Sequence, residues 1–122
     1  MISRDEAKRI ADRWIGDWNA HDLDAILSHY AEELEFTSPL IIERLGRADG
    51  TIRSKAELRA YFAVGVAPDS ELKFELLDVM RGVTSVALHY RNQAGRTITE
   101  TMFFDRNGKV AKVAVHWSIH TG

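Results

Sequence analysis

The chain has no cysteine and only two prolines among its 122 residues. Without cysteine there is no disulfide framework, no thiolate nucleophile and no thiolate metal site. No apolar run approaches the roughly 20 residues needed to span a bilayer, and the charged, helix-patterned stretch from Met1 to Arg13 is unlike a secretory signal. Neither sign of charge dominates: 16 basic residues face 18 acidic ones, for a net charge of −2. That balance gives no electrostatic basis for a nucleic-acid or anionic-membrane partner. Also missing are a G-x-G-x-x-G turn, a phosphate-binding loop and a G-x-S-x-G elbow, so no cofactor is expected. What remains is a chain that is 45% hydrophobic, enough for one ordinary core over residues 1–122. A cytoplasmic protein is the expectation.

The first 30 residues read as two helices. Ser3 and Glu6 have capping-box spacing, and Ala7, Ile10, Ala11, Trp14, Ile15 and Trp18 recur at steps of three and four, which makes one face apolar. Asn19-Ala20-His21 interrupts this pattern. Asp22 then caps a shorter helix with the stripe Leu23, Ile26, Leu27 and Tyr30. A strand from Glu33 to Ser38 stops at Pro39. The segment from Pro39 to Arg53, with Gly46 and Gly50, reads as a long connection of the kind that borders sites. Ser54 and Glu57 open a third helix with Leu58, Tyr61 and Phe62 inward. Four strand-like segments follow, Glu71–Arg81, Ser85–Arg91, Arg96–Asp105 and Lys109–Ser118, joined by short turns as antiparallel hairpins. Helices first and strands afterwards argue for α+β, with helices against one face of a bent sheet.

Alternate residues of a strand share a face. Ile98, Glu100, Met102 and Phe104 therefore point one way, and a carboxylate in that row is either a working group facing a cavity or a solvent-facing group paired with a base such as Arg96. The same alternation adds Val86, Leu88, Tyr90, Val113, Val115 and Trp117 to one apolar wall, which encloses either a closed core or a ligand pocket. Trp14 and Tyr30 are candidate pocket residues from the helices, with Phe36 and Tyr61; Trp18 reads as packing. The opposite sheet face, with His89, Thr101, Phe103 and His116, is too apolar for open solvent and too polar for a core, which suits a subunit contact anchored by Phe103. His116 and His120 would stand about 13 Å apart on an extended strand, too far to share one ion, so no metal site is expected. Arg44, Arg47 and Arg53 cluster where they could attract an anion to a pocket mouth.

Trp18-Asn19-Ala20-His21-Asp22-Leu23-Asp24-Ala25-Ile26, Tyr30-Ala31-Glu32-Glu33-Leu34-Glu35-Phe36 with Ser38-Pro39, Arg59-Ala60-Tyr61-Phe62, and Phe104-Asp105-Arg106-Asn107-Gly108-Lys109-Val110 together resemble the nuclear transport factor 2-like superfamily. That group holds the ketosteroid isomerases and the SnoaL-like polyketide cyclases. The resemblance implies a cone-shaped barrel of cystatin-like fold, in which three helices cover a strongly curved, mainly antiparallel sheet around a pocket. It also implies a homodimer through the outer sheet face. The isomerases' oxyanion-binding tyrosine falls on Trp14, their general-base aspartate on Ser38 and their protonated aspartic acid on Glu100. An unactivated serine is no base near neutral pH, and an indole donates but cannot ionise. The protonated acid is a worked case of a neutral carboxyl donor, and Glu100 retains that function. The expectation is therefore not an authentic ketosteroid isomerase. It is a small-molecule pocket with Glu100 and Ser38 as catalytic candidates and Trp14, Tyr30, Phe36, Tyr61, Leu88, Tyr90, Met102, Phe104, Val115 and Trp117 around a small apolar organic ligand. The chemistry would be proton transfer on a carbonyl compound, as isomerase, cyclase or hydrolyase. A non-catalytic binding module and a protein-interaction module of the same fold are the rivals.

Overall fold

In a computed structural model, which describes residues 1–121, the elements run α1 (Arg4–Asn19), α2 (Leu23–Leu27), β1 (Tyr30–Thr37), α3 (Pro39–Leu45), β2 (Thr51–Ser54), α4 (Lys55–Gly65), β3 (Glu75–Arg81), β4 (Ser85–Arg91), β5 (Thr97–Phe104) and β6 (Val110–Trp117). Three caps read from the sequence form: the hydroxyls of Ser3 and Ser54 accept from Glu6 N–H and Glu57 N–H, and the Asp22 carboxylate accepts from Ala25 N–H. Each satisfies an amide that a helix start leaves without a partner.

The connection after Pro39 is more structured than its composition suggests. Ser38 caps α3, Pro39 occupies its first turn, and Gly46 ends it at φ +67. Proline at the start and a left-handed glycine just past the end are helix punctuation, so the signals were present in what read as a loop. Among the described residues the helices number four, not three. Tyr30 belongs to β1 and not to the second helix, and β3 begins at Glu75 rather than Glu71.

The six strands lie in the order β2-β1-β6-β5-β4-β3. Neighbours are antiparallel except β1 and β6, which run parallel. The sheet is open, and the expected cone-shaped, strongly curved barrel of cystatin-like fold is not formed. Closure requires the edge strands to pair at a consistent tilt, and here β2 and β3 end the row on opposite sides. β2 spans four residues and runs directly into α4. The buried face is covered instead by helices, α1 against β3 and α4 against β1 and β2.

The α1–α2 junction also fixes the segment leading into β3. Asn19 donates from Nδ2 to the Phe74 carbonyl at 2.9 Å, and its Oδ1 accepts from Phe74 N–H at 2.7 Å. His21, the one non-glycine at positive φ among the described residues, places Nε2 2.8 Å from the Leu72 carbonyl. The Asn-Ala-His interruption thus clamps residues 72–74 over the end of α1. Among the described residues, no helix is long and apolar enough to cross a membrane.

Candidate functional site

β5 carries Glu100 between Leu88 of β4 and Val115 of β6, on the face the helices cover. The carboxyl is 5% exposed. Tyr90, diagonal to it across β4, donates from its hydroxyl to Glu100 Oε1 at 2.9 Å. Burial pushes the carboxyl up to about 7, and the Tyr90 hydrogen bond pulls in the opposite direction. Desolvation prevails because ionisation in an apolar site forfeits hydration that one neutral donor cannot replace. Arg96 lies 3.5 Å over the Trp117 ring.

Glu100 lines a cavity of about 330 Å³ between the sheet and the helices, within the size range of small-ligand sites. Trp14, Phe36, Ser38, Tyr61, Tyr90, Val115 and Trp117 share its wall. Tyr30, Met102 and Phe104 do not; they line a second cavity of about 580 Å³ beneath α1 and α2. Leu88 lines neither and is fully buried core, because the strands beside it and the Glu100 pair opposite leave it no free surface. Trp14 and Trp18 border both cavities. The first cavity is the candidate site because titratable and hydrogen-bonding groups converge there. In the second, ionic groups stand on the α1 rim, with Asp17 and His29 3.2 Å apart.

The aromatic wall is continuous. Trp14 stacks on Phe74 with centroids 5.6 Å apart and meets Tyr90 at 4.9 Å, and Phe74 meets Tyr90 at 4.7 Å. The indole N–H groups of Trp14 and Trp18 and the Tyr30 hydroxyl are buried without a protein hydrogen-bond partner. Trp14 and Tyr30 are neighbours, and the indole eases ionisation of the phenol. Buried donors of this kind are uncommon in native proteins, and the Trp14 side chain borders both cavities. Burial, then the Glu100 charge, raises Tyr30 and Tyr90 well above the usual phenol range. Burial takes Tyr61 to about 12, opposed by Arg44 and by the Ser38 hydroxyl. All three phenols are neutral donors at neutral pH.

Ser38 is buried, and its Oγ accepts from Leu40 N–H at 3.3 Å as the α3 cap. No histidine lines this cavity, so the hydroxyl has no imidazole to activate it. Trp18, read from the sequence as packing, is both packing and wall. Phe74 and Leu72 were missed, since their place depends on the Asn19 and His21 clamp between distant segments. Among the described residues no three His, Asp or Glu side chains come together to hold a metal ion.

Residues 11–122 match the SnoaL-like domain family. The chain belongs to this family, within the nuclear transport factor 2-like superfamily. No curated protein is similar in sequence. A SnoaL-like protein of unknown function from Burkholderia thailandensis is 39% identical, with 96% of this chain and 98% of that one covered and a TM-score of 0.92. Two more distant structures show the fold alone. An NTF2-like protein of unknown function from Cytophaga hutchinsonii is 11% identical, with 98% and 96% coverage and a TM-score of 0.73. SalBIII, an epoxide hydrolase/cyclase-like enzyme in pyran ring formation in the polyether salinomycin, is 19% identical, with 98% and 96% coverage and a TM-score of 0.71.

The single donor on Glu100 is open to a test in this SnoaL-like domain. Tyr90→Phe removes the bond that holds the Glu100 pKa down, so that pKa is expected to climb further above about 7. Carboxyl-carbon NMR titration reads the midpoint directly. An unchanged or lowered midpoint would show that the hydroxyl does not favour the charged form.

Proposed function

We propose that this SnoaL-like domain is a small-molecule enzyme that moves a proton on an apolar, carbonyl-bearing compound, with Glu100 as the proton-carrying group. The observation that carries the reading is a buried carboxyl on a ligand-sized cavity, pushed up to about 7. A group with its pKa near the working pH both holds and releases a proton readily. Trp14, whose side chain lines the same cavity, offers its indole N–H to the substrate oxygen as negative charge grows there. Ionised, Glu100 takes the proton from the carbon next to the carbonyl; protonated, it returns that proton to carbon or donates it to a leaving oxygen. Ser38 and Tyr61 are polar contacts. Isomerisation, ring closure and addition or loss of water all fit such an acid, and ring formation is the setting named for SalBIII. The reading includes a second copy of the chain on the outer sheet face, where Phe103 is 39% exposed.

The test is deuterium exchange at carbon next to the carbonyl of cyclic enones, followed by NMR. Wild-type protein should speed exchange, and Glu100→Gln should lower the rate by about 10²–10⁴. Equal rates for the two proteins would remove Glu100 from the chemistry. Binding of the enones with no exchange above background would favour the non-catalytic module, which the capped, unactivated Ser38 also suits.

A further inference from the structure

The geometry points to a second ligand site, for a neutral apolar molecule, in the cavity of about 580 Å³ beneath α1 and α2. It stands apart from the Glu100 cavity and goes beyond the function proposed above. Four elements build its wall: Ile10 of α1, Ile26 of α2, Met102 and Phe104 of β5 and Val110 of β6. Residues two apart on a strand share a face and stand about 7 Å from one another. Glu100 and Met102 are such a pair. The two cavities therefore lie side by side along β5, with Trp14 and Trp18 bordering each.

The distribution of charge decides the class of ligand. The acidic and basic side chains on this wall are those of α1 and His29. Arg9 and Arg13 are matched in number by Glu6 and Asp17, and Asp12 is held by Lys8 at 2.8 Å. Neither sign is in excess, so the rim offers an ion no net attraction. On the apolar floor beneath, an ion would lose its hydration without gaining a counter-charge. An apolar molecule loses nothing there, and covering that floor removes apolar surface from water. The volume is within the range of small-ligand sites.

Methionine-methyl NMR tests this. The chain has three methionines. Met102 lines this cavity, whereas Met1 and Met80 are exposed and line neither cavity. Titration with naphthalene should shift the Met102 methyl saturably, give NOEs from probe protons to that methyl, and leave Met1 and Met80 in place. Naphthalene-2-sulfonate should bind there about tenfold or more weakly, because its charge finds no partner to replace water. Ile10→Trp, which fills the cavity from α1, should abolish the response. Val115→Trp, which fills the Glu100 cavity instead, should retain it. Circular dichroism verifies that both variants fold, and the NOE in wild-type protein decides the matter if either does not. Absence of a saturable shift and of the NOE overturns the site. Loss of the response in Val115→Trp with retention in Ile10→Trp also overturns it, by placing the probe beside Glu100. Equal or tighter binding of the sulfonate overturns the neutral class of ligand.

Discussion

Glu100→Gln is expected to flatten a pH dependence of stability worth about 3 kcal/mol. In the unfolded chain the carboxyl titrates near its ordinary 4.5, and in the folded protein near about 7. Below 4.5 both states hold the proton. Between the two values the unfolded chain has released it while the folded protein retains it, so the unfolded state binds fewer protons and stability falls as pH rises. Above about 7 both are ionised and the loss is complete. The stabilising contribution is thus fully present below the unfolded value and gone above the folded one. Gln cannot titrate, and its carbonyl still accepts from Tyr90. Subtracting the variant's unfolding free energy from the wild type's cancels most other titrations. The difference should fall by about 1.4 kcal/mol per pH unit within the window and level off on both sides. Urea melts across pH 4 to 9 give the curve, and a flat difference would mean that Glu100 is not desolvated in the folded state.

Trp18→Ala is expected to cost about 3–5 kcal/mol, the range for truncating a buried large aromatic. The ring meets Phe62 edge-on at 4.8 Å, Phe74 at 5.6 Å and Trp14 at 6.1 Å. Its indole N–H has no protein partner, so truncation breaks no hydrogen bond and orphans no acceptor. The loss is packing alone. The ring also borders both cavities. Trp18→Phe, which keeps an aromatic face against Phe62 and Phe74, should lose less than half as much. Urea midpoints at unchanged slope report the two values. A loss below about 1 kcal/mol for Trp18→Ala would mean that the site collapses freely and that the ring does not divide the two cavities.

The legible parts of this protein were local ones. Period-two alternation set Glu100 inward among Ile98, Met102 and Phe104, and capping residues marked the starts of α1, α2 and α4. The family likeness was carried by short segments in order along the chain, and the match over residues 11–122 agrees with it. The less legible parts had two sources. Ser38, Pro39 and Gly46 were helix punctuation, but around too few residues for a periodic stripe to show. The barrel expectation failed because nothing in strand periodicity says whether β2 and β3 will meet.

By itself the sequence determined which side chains are inside, because burial follows from alternation and helical spacing along a single element. The tertiary structure decided what the inside contains. Tyr30, Met102 and Phe104 share the inward side with Glu100 yet face a different cavity, because Trp14 and Trp18 from α1 stand between. Leu88 became plain core, and of three similar arginines Arg44 came to line the Glu100 cavity while Arg47 and Arg53 pair with Glu57 and Asp49. Each of those outcomes depends on where a second, distant segment packs. Empty volume and ion-pair choice are properties of segments in contact and have no signature in the order of residues along one of them.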